Sequence, residues 1–147
     1  MAEKTQKELM STYATTVLQV ITYKKLQTRI NAVLKQYELN MTQWIILGRL
    51  KEKQSGLRTT DLARFMHVEV PLITMVAQPL MGRGLIDSNK ISHDKRAKLL
   101  SLTDNANKLV DMVEKRLQAQ VKDIMKDVSV QDMNAYFRVL QTMVQNP

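Results

Sequence analysis

The sequence predicts a mainly α-helical fold in which two short helices on a tight turn are followed by a basic hairpin and flanked by long helices. The first short helix is indicated by apolar residues at i, i+3 and i+4, namely Leu62, Phe65 and Met66. The second repeats this spacing with Ile73, Val76, Ala77 and Leu80. Because residues 67–70 leave room only for a tight turn, the two helices form a helix-turn-helix, whose second helix can fit the major groove of DNA.

A hairpin rich in positive charge follows the second helix. Residues 84–86 lead into its first strand, and residues 99–102 return as the partner strand. Its cations are Lys90, Lys95, Arg96 and Lys98. A helix-turn-helix followed by such a hairpin, or wing, is a winged helix, and the sequence places it at residues 41–103.

Long helices are predicted on both sides of this core, in residues 5–37 and 104–147. Residues 5–37 contain no proline or glycine, and both segments carry apolar residues every three or four positions. These stripes either pack on each other within one chain or pack in a symmetric dimer. A dimer buries them better, so we predict a homodimer in which residues 1–147 of each chain form a single domain.

Side chains three residues apart predict where some helices begin. Asn40 and Gln43 have the spacing of a capping box, and so do Ser129 and Asp132. Thr103 follows the wing directly and can cap the next helix.

Five stretches of the chain resemble the MarR family of transcriptional regulators. They are NMTQWIIL at residues 40–47, LRTTDLA at 57–63, VEVPLIT at 68–74, LMGRGLI at 80–86 and HDKRAKLLSLT at 93–103. The last of these is similar to the wing of that family, with an Asp-x-Arg pair and a closing Leu-Thr. The resemblance implies a DNA-binding core flanked by dimerising helices from both termini. It also implies a small-molecule site whose anionic aromatic ligands release the DNA.

The placement of charge favours a nucleic-acid partner. The chain has 147 residues, of which 44% are hydrophobic, and a formal net charge of +8. Residues 49–98 carry ten Lys or Arg against five Asp or Glu, whereas residues 99–147 carry six against six. A basic excess concentrated in the predicted winged helix is typical of a DNA-binding protein.

Other functional classes find little support in the composition. There is no cysteine, which excludes disulfides and thiol-based redox sensing. With only His67 and His93, no cluster of histidines can hold a metal, and we predict neither a cofactor nor an enzyme. No run approaches the roughly 18 apolar residues of a membrane span, so we expect a cytoplasmic protein.

The predicted DNA contacts come from three places. Arg58 and Thr59 stand at the start of the first short helix. The second helix supplies Val70, Leu72, Thr74, Met75 and Gln78, and the wing supplies Lys90, His93, Lys95, Arg96 and Lys98. The second helix lacks an arginine for bidentate contact with guanine, which leaves Thr74 and Gln78 as its main candidates for base edges.

Pro79 departs from the expected pattern of this second helix. It lacks the amide that would bond the carbonyl of Met75, at a cost of about 3 kcal/mol in a regular helix. We predict that the helix kinks or ends at Pro79, unless this residue lies in a late, frayed turn.

The resemblance to the MarR family implies that a small aromatic or anionic effector binds between the long helices and the winged helix. Tyr13, Tyr23, Lys24 and Trp44 combine ring surface with a hydrogen-bonding group or a charge, as such a site requires. The alternative is that Trp44 belongs to the core and Lys24 is solvated.

Two functions remain open from the sequence. The first is a transcriptional regulator that binds a pseudo-palindromic operator as a homodimer. The alternative is a winged-helix protein-interaction module with weakened sequence-specific DNA binding, which the apolar residues Val70, Leu72 and Met75 favour.

Overall fold

Six α-helices and a three-stranded sheet form the part of the chain that the computed structural model describes, residues 11–91 and 94–147, with side chains described outside residues 90–97. The helices are α1 (Thr12–Lys35), α2 (Met41–Glu52), α3 (Thr59–Met66), α4 (Val70–Gly82), α5 (Asp104–Ile124) and α6 (Val130–Gln145). The strands are β1 (Leu57–Arg58), β2 (Ile86–Ile91) and β3 (Asp94–Leu102). The prediction of a mainly α-helical winged helix-turn-helix with long terminal helices is confirmed.

Hydrogen bonds from capping side chains set the starts of four described helices, and Ser11 Oγ, which accepts from the Ala14 amide at 3.4 Å, caps α1. Asn40 Oδ1 accepts from the Gln43 amide at 2.9 Å, and Gln43 Oε1 accepts from the Asn40 amide at 3.1 Å, which completes the predicted capping box of α2. Thr103 Oγ1 accepts from the Ala106 amide at 3.1 Å and caps α5. Ser129 Oγ accepts from the backbone amide three residues later and caps α6.

The helix from residues 5–37 is confirmed in part. Its described portion, α1, ends at Lys35, two residues earlier than predicted, and residues 5–10 lie outside the described residues. The chain reverses here because Glu38 adopts a left-handed conformation, with φ 53°, and the Leu39 amide donates to the Leu34 carbonyl at 3.0 Å.

The turn between α3 and α4 depends on His67. Its φ of 54° ends α3, and the Val68 amide then donates to the Ala63 carbonyl at 3.0 Å. Pro71 follows in the first turn of α4, where a missing amide costs nothing because no intrahelical acceptor precedes it.

The predicted outcomes were a kink or an end of the helix at Pro79, or a position of Pro79 in a late turn; α4 does not end at Pro79 but continues to Gly82. Pro79 lies in the last turn of α4, so the missing hydrogen bond from residue 79 to the Met75 carbonyl affects only the end of the helix. Ala77 and Leu80 are buried on either side of it and hold this turn against the core.

The sheet brings the two ends of the wing back to the helices. Its strand order is β1-β3-β2, all antiparallel, with Leu57 paired to Leu100 and Ile86 to Leu102. Gly56, before β1, has a φ of +87°, and a Cβ there would lie 2.9 Å from the Leu100 carbonyl oxygen. Glycine is therefore required where β1 enters the sheet.

One hydrophobic core joins the winged helix to α1 and α5. Its largest fully buried side chains are Leu34, Ile46, Leu47, Leu50, Leu62, Ile73, Leu80, Leu100 and Val113. Phe65, whose spacing predicted a core position, is instead 47% exposed. Its ring lies 4.2 Å from the guanidinium carbon of Arg49, a cation–π contact at the edge of the core.

The terminal helices leave much apolar surface uncovered. Against the described residues, α1 buries only Val33 and Leu34, and α6 buries none of its 16 residues. Exposed apolar side chains on α6 include Val130, Tyr136, Phe137, Val139, Leu140, Met143 and Val144. Among the described residues, no helix has both the length and the hydropathy to cross a membrane.

Candidate nucleic-acid interface

The outer face of α4 is defined by its exposed residues. These are Pro71, Met75, Gln78, Pro79 and Gly82, which recur at the spacing of one helical face. The opposite face, Ile73, Ala77 and Leu80, is buried as predicted. Met75 is 62% exposed and lies near the centre of the outer face. The core thus presents this face to solvent, as a helix that enters a DNA groove requires.

Three residues predicted to contact DNA lie on the flanks of α4 rather than on its outer face. Val70 is half-buried and packs against the core, and Leu72 and Thr74 are also half-buried. Thr74 Oγ1 donates to the Val70 carbonyl at 3.3 Å, which engages its hydroxyl hydrogen within the helix. A 3.6-residue repeat predicts that Val70 faces away from the core, and this prediction is wrong because Val70 packs against the core.

Pro71 and Pro79 were missed as members of the outer face. Their spacing to Met75, four residues on each side, was visible in the sequence. Pro79 was interpreted through its effect on the backbone, and Pro71 only as part of a stretch that resembles the MarR family. They enlarge the apolar part of this face and leave Gln78 as its hydrogen-bonding side chain.

The outer face of α4 is uncharged, and the basic residues lie beside it. Val70–Gly82 contains no Lys, Arg, Asp or Glu, and Glu69, exposed at its N-cap, makes no side-chain capping bond. Arg58 is exposed at the end of β1, and the Arg64 side chain on α3 is 81% exposed. Arg64 Nη1 lies 3.4 Å from Asp61 Oδ1, an exposed ion pair that a phosphate can replace at little cost. Thr59, at the start of α3, is half-buried.

The wing adds further positive charge. Lys98 is exposed on β3, and its position is paired with that of Lys90 on β2. Lys95 and Arg96 lie in β3, but their side chains and that of Lys90 are outside what the structure describes, and His93 lies outside the described residues.

The predicted effector residues are placed differently from one another. Trp44 is half-buried, packs against the core and lines a groove of about 400 Å³ between α1, α2, α5 and α6. Further residues of this groove are Ile30, Glu114, Leu117, Val121, Lys122, Met125 and Met133. Tyr13 and Tyr23 are 80% and 60% exposed on α1, and Lys24 is exposed beside them. The described groove thus gathers Trp44 with aliphatic and charged side chains rather than with these three.

A second groove lies between α1 and α6. It has a volume of about 460 Å³ and is lined mainly by apolar side chains, among them Leu18, Met125, Val128, Met133, Tyr136 and Val139. The sequence did not indicate this groove, because its two walls are more than 100 residues apart in the chain. Among the described residues, no cluster of three or more His, Asp or Glu can hold a metal ion.

Comparison with known proteins agrees with this architecture. Residues 39–98 match the model of the MarR family. The chain is similar to a MarR family transcriptional regulator from Rhodococcus sp. RHA1, with 18% identity, a TM-score of 0.83 and coverage of 92% of this chain and 96% of that one. It is also similar to CouR from Rhodococcus jostii RHA1 bound to p-coumaroyl-CoA, with 20% identity, a TM-score of 0.79 and coverage of 87% and 89%. The MepR–DNA complex of S. aureus matches with 21% identity, a TM-score of 0.75 and coverage of 88% and 95%. At these identities, the solved structures establish a shared fold.

Proposed function

We propose that the protein is a MarR family transcriptional regulator that binds a pseudo-palindromic operator as a homodimer, and the match of residues 39–98 to the model of that family supports this proposal. The observation that carries this proposal is the exposed outer face of α4, held on a buried core between basic residues of α3 and of the wing. MepR, which shares the fold, has been solved bound to DNA.

In this proposal α4 enters the major groove and the wing follows the backbone. Gln78 lies on the outer face of α4, within reach of base edges. Arg58, Arg64 and Lys98 are exposed cations that can neutralise phosphates on either side of that groove. Lys95 and Arg96 add two positive charges to the wing.

The homodimer is supported by the uncovered apolar surfaces of α1 and α6. Among the described residues, α6 has no fully buried side chain and gains little packing energy, whereas most helical stability in proteins comes from packing of an apolar face. A two-fold dimer that joins α1 and α6 to the same helices of a second copy covers both surfaces. It also presents two α4 helices to two half-sites of one operator.

An effector site is proposed at the groove lined by Trp44. The groove combines the indole ring and aliphatic side chains with Lys122, a cation that suits an anionic aromatic compound. CouR, of the same fold, has been solved with p-coumaroyl-CoA. In the homodimer this groove also adjoins the surfaces that the second copy covers, which provides a route from ligand to DNA.

The alternative is a protein-interaction module with weakened base recognition. The uncharged outer face of α4, centred on the exposed Met75, favours it, since protein partners also bind exposed apolar surface. The basic residues beside the face favour DNA.

Affinity selection of random and genomic duplexes at near-physiological salt tests the proposal. We expect enrichment of an inverted repeat whose half-sites are about 10 base pairs apart, or a multiple of that, and an affinity that falls steeply with salt. The matched control is a protein with both Arg58 and Arg64 changed to Ala, which should retain less DNA at every salt concentration. Failure to enrich any duplex, together with salt-insensitive association with a protein, would contradict DNA regulation and support the alternative.

A further inference from the structure

The outer face of α4 offers an unusual set of groups to DNA. Of its five exposed residues, Pro71 and Pro79 present rings, Met75 a thioether, Gly82 no side chain and Gln78 an amide. The helix from Val70 to Gly82 contains no arginine or lysine. The face therefore has one hydrogen-bonding side chain among apolar neighbours, and it has no charge.

We propose that α4 recognises an A·T-rich half-site, with the Gln78 amide bound to adenine and the Met75 side chain packed on a thymine methyl group. This inference rests on the proposed function and names the DNA sequences it acts on. It assigns recognition of bases to two residues of the outer face and leaves phosphate binding to residues outside α4.

The groups on the outer face of α4 match the base edges that A·T pairs present in the major groove. An amide presents an acceptor beside a donor, which matches the donor N6 and acceptor N7 of adenine in the major groove. Guanine presents two acceptors there, which suit the paired donors of arginine that α4 lacks. The thymine methyl is the apolar group of the major groove, so an exposed methionine side chain favours thymine.

The geometry of the helix allows both contacts at once. Met75 and Gln78 are three residues apart on one face, so their Cβ atoms are about 5–6 Å apart. Successive bases of a strand are about 3.4 Å apart along the helix axis, so the two side chains can reach neighbouring base pairs. Thr74 is less suited, because it is half-buried and its hydroxyl donates to the Val70 carbonyl.

The test couples changes in the protein to changes in the DNA. The full-length protein first selects its operator, and single bases of the half-site are then replaced in synthetic duplexes. In 2′-deoxyuridine the thymine methyl is missing, and in 7-deazaadenine the N7 acceptor is missing. Affinities are measured for the unchanged protein, Met75→Ala and Gln78→Ala, with Met112→Ala as the control, because Met112 is also exposed but lies on α5.

For the unchanged protein, we expect loss of one thymine methyl to weaken binding about fourfold. We expect loss of the adenine N7, or the change Gln78→Ala, to weaken it about 5- to 150-fold. In the Met75→Ala protein the deoxyuridine substitution should have no further effect, and in Gln78→Ala the 7-deazaadenine substitution should have none. Met112→Ala should retain the full effect of both base changes. Because α4 is uncharged, the salt dependence should be the same for all four proteins.

The outcomes separate this inference from the proposed function. An A·T-rich half-site with these couplings supports both. A defined operator whose half-site requires guanine overturns the inference, and so do base and side-chain effects that simply add. In both cases the proposed function as a regulator still stands. Absence of any selected duplex overturns both.

Discussion

Arg83 Nη1 donates a 2.8 Å hydrogen bond to the backbone carbonyl of Glu38, which lies 45 residues earlier in the chain. The Arg83 Nη2 atom donates to the neighbouring carbonyl of Tyr37 at 3.0 Å. Arg83 directly follows α4, whereas Tyr37 and Glu38 form the turn between α1 and α2. The two hydrogen bonds from the Arg83 guanidinium therefore connect the end of α4 to the turn that follows α1. Both terminal nitrogens of the Arg83 guanidinium thus donate to backbone carbonyls within the protein.

Arg83→Ala should destabilise the protein by about 1 to 3 kcal/mol, because the two carbonyls lose charge-assisted hydrogen bonds. The stability of Arg83→Lys should lie between that of Arg83→Ala and that of the unchanged protein, since an ammonium cannot reproduce the planar pair of donors of a guanidinium. Denaturant unfolding measures the change. Arg116→Ala, at an exposed arginine of α5, is the control. Equal stability of Arg83→Ala and the unchanged protein would show that the two hydrogen bonds of Arg83 do not stabilise the fold.

Charged residues on the apolar surface of α6 should dissociate the proposed homodimer. In the double variant Phe137→Asp and Leu140→Asp, two exposed apolar side chains become carboxylates that a dimer interface would have to desolvate. Analytical ultracentrifugation at micromolar concentration should find a dimer for the unchanged chain and a monomer for the variant. Phe65→Asp, at the exposed phenylalanine of α3, should remain dimeric. An unchanged chain that sediments as a monomer would rule out the dimer.

Loss of the two adjacent cations of the wing should weaken binding to all duplexes alike. Phosphate contacts position a protein without specifying bases, so Lys95→Ala with Arg96→Ala should preserve the preferred sequence. The slope of log affinity against log salt should become shallower by about two units if both cations neutralise phosphates. The matched control is Lys115→Ala with Arg116→Ala, an exposed pair on α5. Lost discrimination with unchanged affinity would contradict this role.

The two prolines of α4 should affect stability in opposite directions. Pro79→Ala restores an amide that can bond the Met75 carbonyl and should stabilise the protein, by at most about 3 kcal/mol. Pro71→Ala should destabilise it by about 0.4 to 1 kcal/mol, because Pro71 suits the first turn and restricts the unfolded chain. Thermal unfolding compares the two variants. Destabilisation by Pro79→Ala would indicate that the proline ring makes contacts worth more than the lost hydrogen bond.

Aromatic carboxylic acids should quench the fluorescence of Trp44, the single tryptophan, and release operator DNA over the same concentration range. Lys122→Ala should weaken both effects, because it removes the cation beside the ring in the groove. Lys126→Ala, at an exposed lysine in the turn that follows α5, is the control. Quenching without any change in DNA affinity would mean a cavity but no switch, since a ligand that binds both states equally shifts neither.

Much of the fold was predictable because it depends on local chemistry. The starts of α2, α5 and α6 follow from side chains that bond an amide three residues away, as at Asn40, Thr103 and Ser129. The buried face of α4 follows from the spacing of Ile73, Ala77 and Leu80. The resemblance of five short stretches to one family was likewise visible before the structure.

The candidate site was only partly predictable from the sequence. Met75 and Gln78 were expected on the surface of α4 and are exposed there. Val70 and Thr74 were expected beside them but are half-buried, because consecutive residues are separated by about 100° around a helix. Residues at the border between two faces are buried or exposed according to the position of the neighbouring helices, which periodicity does not define.

By itself, the sequence determined the order of the elements, the caps, the core face of α4 and the basic charge of the winged helix. Only the tertiary structure decided that Phe65 lies exposed against Arg49 and that Arg83 binds the carbonyls of Tyr37 and Glu38. It also decided that the other described residues leave α6 largely uncovered. The physical reason is the separation in sequence between the groups that make each contact. Caps and helical faces arise from groups within four residues of one another, whereas these contacts join elements whose separation in the chain says nothing of their distance in space.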